Sequence, residues 1–421
     1  QEVMSVEEQT WSTVLGLSGM LMLAVLMVPA ARRMNFPYTV LLAVVGVAIG
    51  LLKAVAEGGQ IYIFSDFLSA LHSLEITAEA VLFIFLPALV FEAALALDVR
   101  RLLDDLGAIL FLAIIGLLIS TAIVGYTIHA VSGVSIIVCL MLGAIVSATD
   151  PVAVVAIFKD VGAPKRLSIL VEGESLFNDA TAIVIFIILS GMVLQTSDPS
   201  VAGGIAEFFR VFVGGVIVGL VMALVFISII RKLSKMPLAQ RSLTISLAYL
   251  AFIVGEHYLH VSGVMAVVTA ALVMASRGRT VISPHNWHSL HEMWEQLGFW
   301  ANSIIFILVG LAVPGIMSGF GETQFRWLVA IILAAFIARA VIIFMLMPYL
   351  SRINLGQTVS RAFKAVMFWG GLRGAVSLAL ALLVIENHAF PQEVRDFIGM
   401  LVTGFVLFTL LINATTMRPV L

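Results

Sequence analysis

The sequence predicts an all-α polytopic membrane protein of about thirteen transmembrane helices, built as two inverted six-helix repeats with crossed broken helices. Three observations predict it. Hydrophobic residues make up 61% of the 421 positions and charged residues 11%, against roughly half and a quarter in soluble domains. Apolar runs of about 18 residues or more recur from end to end. Arginine and lysine are concentrated in every second loop, as the positive-inside rule requires of a multi-pass chain.

In chain order the apolar runs place spans at 12–31, 37–54, 78–96, 106–130, 134–158, 167–195, 204–231, 240–257, 260–276, 296–317, 324–350, 361–385 and 396–416. The first ends in Arg32-Arg33 without a small-residue cleavage site, so it is a span and not a signal peptide. With the N-terminus outside, 17 basic residues fall on the inner side and 4 (Lys53, Arg210, Arg326 and Arg395) on the outer. Arg339 and Arg373 remain at membrane depth. One span more or fewer would scramble this alternation. The expected location is therefore a plasma (cell inner) membrane, with a cytoplasmic C-terminus. The net charge of −2 carries little information, because in such a chain the distribution of charge matters more than its sum. The one cysteine, Cys139, lies in an apolar run and excludes disulfides within the chain.

Two spans are interrupted. The fifth carries Thr149-Asp150-Pro151, where proline removes a backbone donor and clashes with the preceding turn. The twelfth carries Gly370-Gly371-Leu372-Arg373-Gly374, each glycine weakening a helix by about 1 kcal/mol relative to alanine. Taking the seventh span as a linker (204–235) divides the chain into repeats 1–203 and 236–421, and the breaks fall in the fifth span of each. Interrupted helices in corresponding positions point to an inverted-repeat transporter with its site near the midplane.

Both breaks carry charge, and a charge at mid-membrane depth costs about 3 kcal/mol or more, so such residues mark ion or proton pathways. In the sixth span, Glu172-Gly173-Glu174-Ser175-Leu176-Phe177-Asn178-Asp179 stacks Glu174 over Asn178 and Ser175 over Asp179, residues four apart sharing a helix face. Asp179 falls near the bilayer middle at about 1.5 Å rise per residue. Ser175 adds a hydroxyl oxygen on its face, and the broken fifth helix frees the carbonyl of Thr149. Carboxylate, hydroxyl, carbonyl and water are the ligands hard cations prefer, and the C-terminal end of a half-helix adds partial negative charge. Glu174 needs a cationic partner at depth. Arg339 is one candidate, leaving Arg373 to balance Asp150 and the helix ends; the exchanged pairing is equally compatible with the sequence.

Other features are weaker. Glu92, late in the third span, suits either a cytoplasmic entrance or the interface. His285, His288 and His291, beside Trp287 and Trp294, read as an interfacial amphipathic helix in preference to a metal site. Gly215-x-x-x-Gly219 suits a close helix contact. Walker, haem and HExxH patterns are absent, which argues against an ATP-driven pump, and no cofactor is expected. No nucleophile–base constellation suggests an enzyme.

Together these residues resemble the cation:proton antiporter superfamily, in its NhaP-like, sodium/proton-exchanger branch. The resemblance rests on Phe36-Pro37-Tyr38-Thr39-Val40, Leu86-Pro87-Ala88-Leu89-Val90-Phe91-Glu92, Ser147–Val152, Glu172–Asp179 and Gly371-Leu372-Arg373-Gly374-Ala375-Val376-Ser377. The tract from Ser289 to Asn302 is similar to plant-type salt-tolerance exchangers and their bacterial relatives. The resemblance implies an NhaA-like fold and a homodimer whose core domain moves like an elevator, with no nucleic-acid partner. It makes Asp179 the alternating carrier of a proton or a monovalent cation, Na+ first and Li+ next. Thr149, Ser175, Asp150 and Glu92 are placed around the ion or its waters, and Asn178 and Arg339 stabilise the core around Glu174. Asn178, where electrogenic relatives carry a second aspartate, implies one-for-one electroneutral exchange. A potassium/proton antiporter of the same fold and a cation channel are the alternatives.

Overall fold

The computed structural model describes residues 6–34, 36–56, 81–151, 154, 155, 158, 162–195, 201–352, 359–371 and 373–416. Lys159 and Arg418 of the inner basic set, Val152 and Leu372 lie outside the described residues.

Each of the thirteen expected spans contains helix. The helices are α1 (Val6–Met34), α2 (Tyr38–Ala56), α3 (Leu82–Ala96), α4 (Leu106–Ser132), α5 (Ile136–Ser147), α6 (Lys165–Val193) and α7 (Val201–Lys232). They continue with α8 (Pro237–Tyr258), α9 (Gly263–Arg277), α10 (Pro284–Ile316), α11 (Glu322–Arg352), α12 (Arg361–Trp369), α13 (Ala375–Glu386) and α14 (Gln392–Asn413). Among the described residues eight helices are long and apolar enough to cross a membrane alone. The short α5, α12 and α13 are pieces of the two broken spans.

The helices sort into two groups. One comprises α1–α3 with α7–α10, in which α2 packs along α10, α3 against α9 and α10, and α7 against α9. The other comprises α4–α6 with α11–α14, in which α4 packs on α5 and α11, α5 on α6, and α13 on α14. Contacts between the groups run mainly through α6–α7, α10–α14, α6–α9 and α10–α13. The exposed stripe Ile205, Phe209, Val213, Ile217, Val221 and Val225 on α7 recurs every four residues, an apolar face suited to hydrocarbon, where only a helix satisfies its own backbone.

Glycine sets the closest helix pairs. Gly215 and Gly219 face the backbone of α9 at Ser262 and Ala266, so this motif serves a contact within the chain. Gly46 of α2 and Gly310 of α10 face each other, and a Cβ on Gly310 would lie 2.5 Å from Ala43 O. Since backbone cannot step aside as a side-chain tip can, Gly310→Val is expected to cost at least the ~1–3 kcal/mol of ordinary overpacking. A lowered unfolding temperature of the purified protein in detergent checks this.

The breaks follow from local chemistry. After Ser147 the chain leaves the helical region at Ala148 (φ −59°, ψ 134°), just ahead of Asp150-Pro151. In the twelfth span α12 stops at Gly370, and Gly374 (φ −108°, ψ −162°) precedes α13. The broken spans touch at the crossing, where Ser377 Oγ of α13 donates to Ile145 O of α5 at 2.7 Å. The histidine tract forms the first turns of α10: His288 pairs with Glu292 at 3.3 Å and His291 packs edge-on to Trp287. No group of metal-binding side chains occurs among the described residues.

Candidate functional site

A helix leaves its last four carbonyls unpaired, and inside a membrane each must find a donor. Both half-helices that end at the crossing meet this need with side chains. At the end of α5, Ile145 O accepts from Ser377 and Ser147 O accepts from Asn178 Nδ2 at 3.4 Å. Just beyond it, Thr149 O accepts from the Ser175 hydroxyl. At the end of α12, Met367 O accepts from Arg339 Nε at 3.2 Å and Trp369 O from Asn413 Nδ2 at 3.0 Å. Sequence reasoning expected a free Thr149 carbonyl; in this conformation Ser175 occupies it.

Glu174 and Arg339 form the buried ion pair, Nη1 to Oε1 at 3.5 Å, with side chains 6% and 9% exposed. This resolves the choice the sequence left open. Arg373 lies over the Phe405 ring, 5.5 Å from its centroid, and its Nε and Nη1 have no hydrogen-bond partner among the described residues. Asn178 Nδ2 reaches three acceptors: Ser147 O, Thr149 Oγ1 at 3.2 Å and Glu174 Oε1 at 3.5 Å. The pair stacked on α6 is therefore one network with the α5 break.

Asp179 is partly exposed in the interior of α6. The charges that bear on it are Asp150, Glu174 and Arg373. Glu174 is already compensated by Arg339. Asp150 lies against Gly374, where a Cβ would stand 3.0 Å from its Oδ2. Its carboxylate thus sits at the N-terminus of α13, whose exposed N–H groups favour negative charge.

Glu92 lies elsewhere. It packs against Gly298 of α10, where a Cβ would stand 3.2 Å from Oε2, in the α3–α10 contact. Its neighbour Phe91 stacks on Trp294 with centroids 4.3 Å apart.

A cavity of about 10 Å³ opens beside this network, lined in part by Ser120, Ser147, Glu174, Asn178, Arg339 and Arg373. Two π-helical turns flank it, Leu112–Gly116 of α4 and Val341–Leu346 of α11, which contribute Gly116 and Ile342 to its wall. Such turns recur at functional sites. Ser120 was not singled out in the sequence; a lone serine in an apolar helix resembles any helix-packing hydroxyl. It lies 2.8 Å from Ser147 Oγ, which donates to Gly143 O at 2.6 Å.

Comparison with known proteins agrees with this architecture. The family model described as "Sodium/hydrogen exchanger, transmembrane" matches residues 21–421. The Na(+)/H(+) antiporter ApNhaP of Aphanothece halophytica is 36% identical over 389 residues, covering 92% of this chain and 69% of that protein. Sodium/hydrogen exchanger 7 of Arabidopsis thaliana is 34% identical over 408 residues, 93% of this chain but 34% of the plant protein. In three dimensions the chain resembles the sodium proton antiporter MjNhaP1 from Methanocaldococcus jannaschii, solved at pH 8, with a TM-score of 0.79 at 21% identity and 98% coverage of both chains. That likeness carries the NhaP-type inverted-repeat fold. The chain is a multi-pass membrane protein and belongs to the sodium/hydrogen exchanger family.

Proposed function

We propose that this protein exchanges Na+ for H+ one for one, with Asp179 as the carboxylate that binds either. One observation carries the reading. Among the charges around the crossing, Glu174 is compensated by Arg339 and Asp150 faces a helix N-terminus, which leaves Asp179 as the carboxylate free to change its ligand. Ser175, one turn before Asp179 on α6, and Thr149, whose carbonyl it holds, would supply the other oxygen ligands. For the cation to reach the Thr149 carbonyl, the Ser175 hydroxyl has to turn from it, and the hydroxyl oxygen then becomes a second ligand. Asp150 and Arg373 set the field at the site, and Glu92 acts at the approach along α10.

Coupling follows from charge. A protonated Asp179 has no attraction for a cation, and an ionised one is neutralised by it. The ionised, empty carboxylate does not cross, since moving an uncompensated charge through a dry barrier is expensive. Each crossing thus carries one ligand, and a full cycle moves no net charge.

In this reading repeats 1–203 and 236–421 join through α7, and the group α4–α6 with α11–α14 shifts against the other in an elevator-type cycle. The protein works as a homodimer in a plasma (cell inner) membrane, N-terminus outside. The basic residues support that orientation, with 17 inside and 4 outside.

The test is sodium-triggered pH change in proteoliposomes holding the purified chain. Sodium should drive proton movement with no current under an imposed voltage. Voltage-dependent current would refute one-for-one exchange, and a response to potassium alone would make the protein a potassium/proton antiporter.

A further inference from the structure

Asn178 and Arg373 each present buried polar atoms that find no partner among the described residues. Asn178 is 3% exposed, and its Nδ2 is directed at three acceptors, so the amide orientation is fixed by its network and Oδ1 points the other way. That Oδ1 accepts from no described residue. Arg373 is 4% exposed, is held by its face on Phe405, and has Nε and Nη1 unused as donors. Both residues line the same cavity, which at about 10 Å³ has room for about one water. An unsatisfied buried polar atom costs about 1–3 kcal/mol, so three on two residues lining one small cavity mark a hydration site with a donor side and an acceptor side.

We infer that this cavity is a built site for one resident water, which accepts from Arg373 and donates to Asn178 Oδ1. Its second hydrogen meets the serine side of the chamber, where the hydroxyl oxygens of Ser120 and Ser147 accept, their own hydrogens being used between the two serines and on Gly143 O. The occupant is water and not a cation, because among the residues lining the chamber two arginines, Arg339 and Arg373, stand against the one carboxylate of Glu174. The water ties the glycine-rich break of the twelfth span to α6 one residue before Asp179. It also engages the Asn178 oxygen, so that this amide offers the transported ion no ligand. The site is thus part of the rigid frame of the carrier and travels with it, outside the ion's own coordination.

The test is a structure of the full chain in a lipid environment at a resolution that shows ordered water, repeated without sodium and with Ser120→Ala and Ser120→Val. The expected result is a density peak within hydrogen-bond distance of Asn178 Oδ1 and the Arg373 guanidinium, unchanged by sodium and retained in Ser120→Ala. It should be lost in Ser120→Val, whose added methyl groups fill the chamber. No peak in the native protein, or Arg373 bonded directly to Asn178, overturns the inference. A peak that follows sodium concentration overturns it too, since the chamber would then be a cation site. The native maps decide the matter even if Ser120→Val does not fold, and they do so whichever ion the protein exchanges.

Discussion

Asp179→Asn is expected to reduce sodium-driven proton movement in proteoliposomes to the level of protein-free vesicles. Asparagine keeps the shape of the side chain and much of its hydrogen bonding, but it can neither release a proton nor attract a cation. The predicted loss is therefore in function and not in folding. An ionised group at membrane depth costs about 2.5–3.5 kcal/mol on insertion scales, and the amide removes that cost. Asp179→Asn should unfold at the same temperature as the native protein or higher. The combination of an intact fold with absent exchange is what distinguishes a carrier from a structural carboxylate. A second signature lies in pH. Protons and sodium compete for one group, so below its pKa each unit of acidification should raise the half-saturating sodium concentration about tenfold, by simple linkage. If exchange survives in Asp179→Asn, the carrier is another carboxylate, and Asp150 and Glu92 are the two to replace next.

The helical frame and both breaks were legible because their causes are written in single residues and short runs. Apolar length gave the spans, proline after Thr149-Asp150 gave one break, and the glycines around Arg373 gave the other. The positions of partners were less legible. Glu174 had two possible arginines at the same depth, and only the packing of Arg373 on Phe405 and of Arg339 beneath α12 separates them. Carbonyl acceptors such as Met367 O and Ile145 O are invisible in a sequence, since every residue has one. Ser120 was missed for the related reason that a hydroxyl in an apolar helix has many bland uses. The resemblance put Asp150 around the ion or its waters; its contact with Gly374 was not legible, because it depends on how the two broken spans cross. Gly215 and Gly219 promised a close contact without saying which helix would make it; the partner is α9.

Arg339→Ala is expected to be the most destabilising single change among the site residues. Arg339 compensates Glu174 and also supplies the donor for Met367 O at the end of α12. Its removal strands a buried carboxylate, a loss of about 3–5 kcal/mol, and leaves a buried carbonyl without its donor, a further ~1–3 kcal/mol. Against a typical stability of about 5–15 kcal/mol, the sum removes a large share of what holds the fold. Glu174→Gln strands the Arg339 charge in turn but should cost less, because fewer hydrogen bonds are lost with it. The amide oxygen can still accept from Asn178, and Arg339 keeps its bond to Met367 O. The 3.5 Å separation is long for a charge-assisted hydrogen bond, normally about 2.7–2.9 Å, so the pair acts by charge compensation more than by tight contact. Replacing both residues, Glu174→Gln with Arg339→Met, should accordingly recover most of the loss, because neither charge is then stranded. The unrecovered part is the Met367 carbonyl. Arg339→Lys should fall between, since one ammonium on a flexible stem cannot reproduce the planar fork that serves Glu174 and Met367 together. Thermal unfolding of the four purified variants in one detergent orders them. A native-like unfolding temperature for Arg339→Ala would mean that Glu174 is compensated by another group, with Arg373 as the cation nearest to take that place.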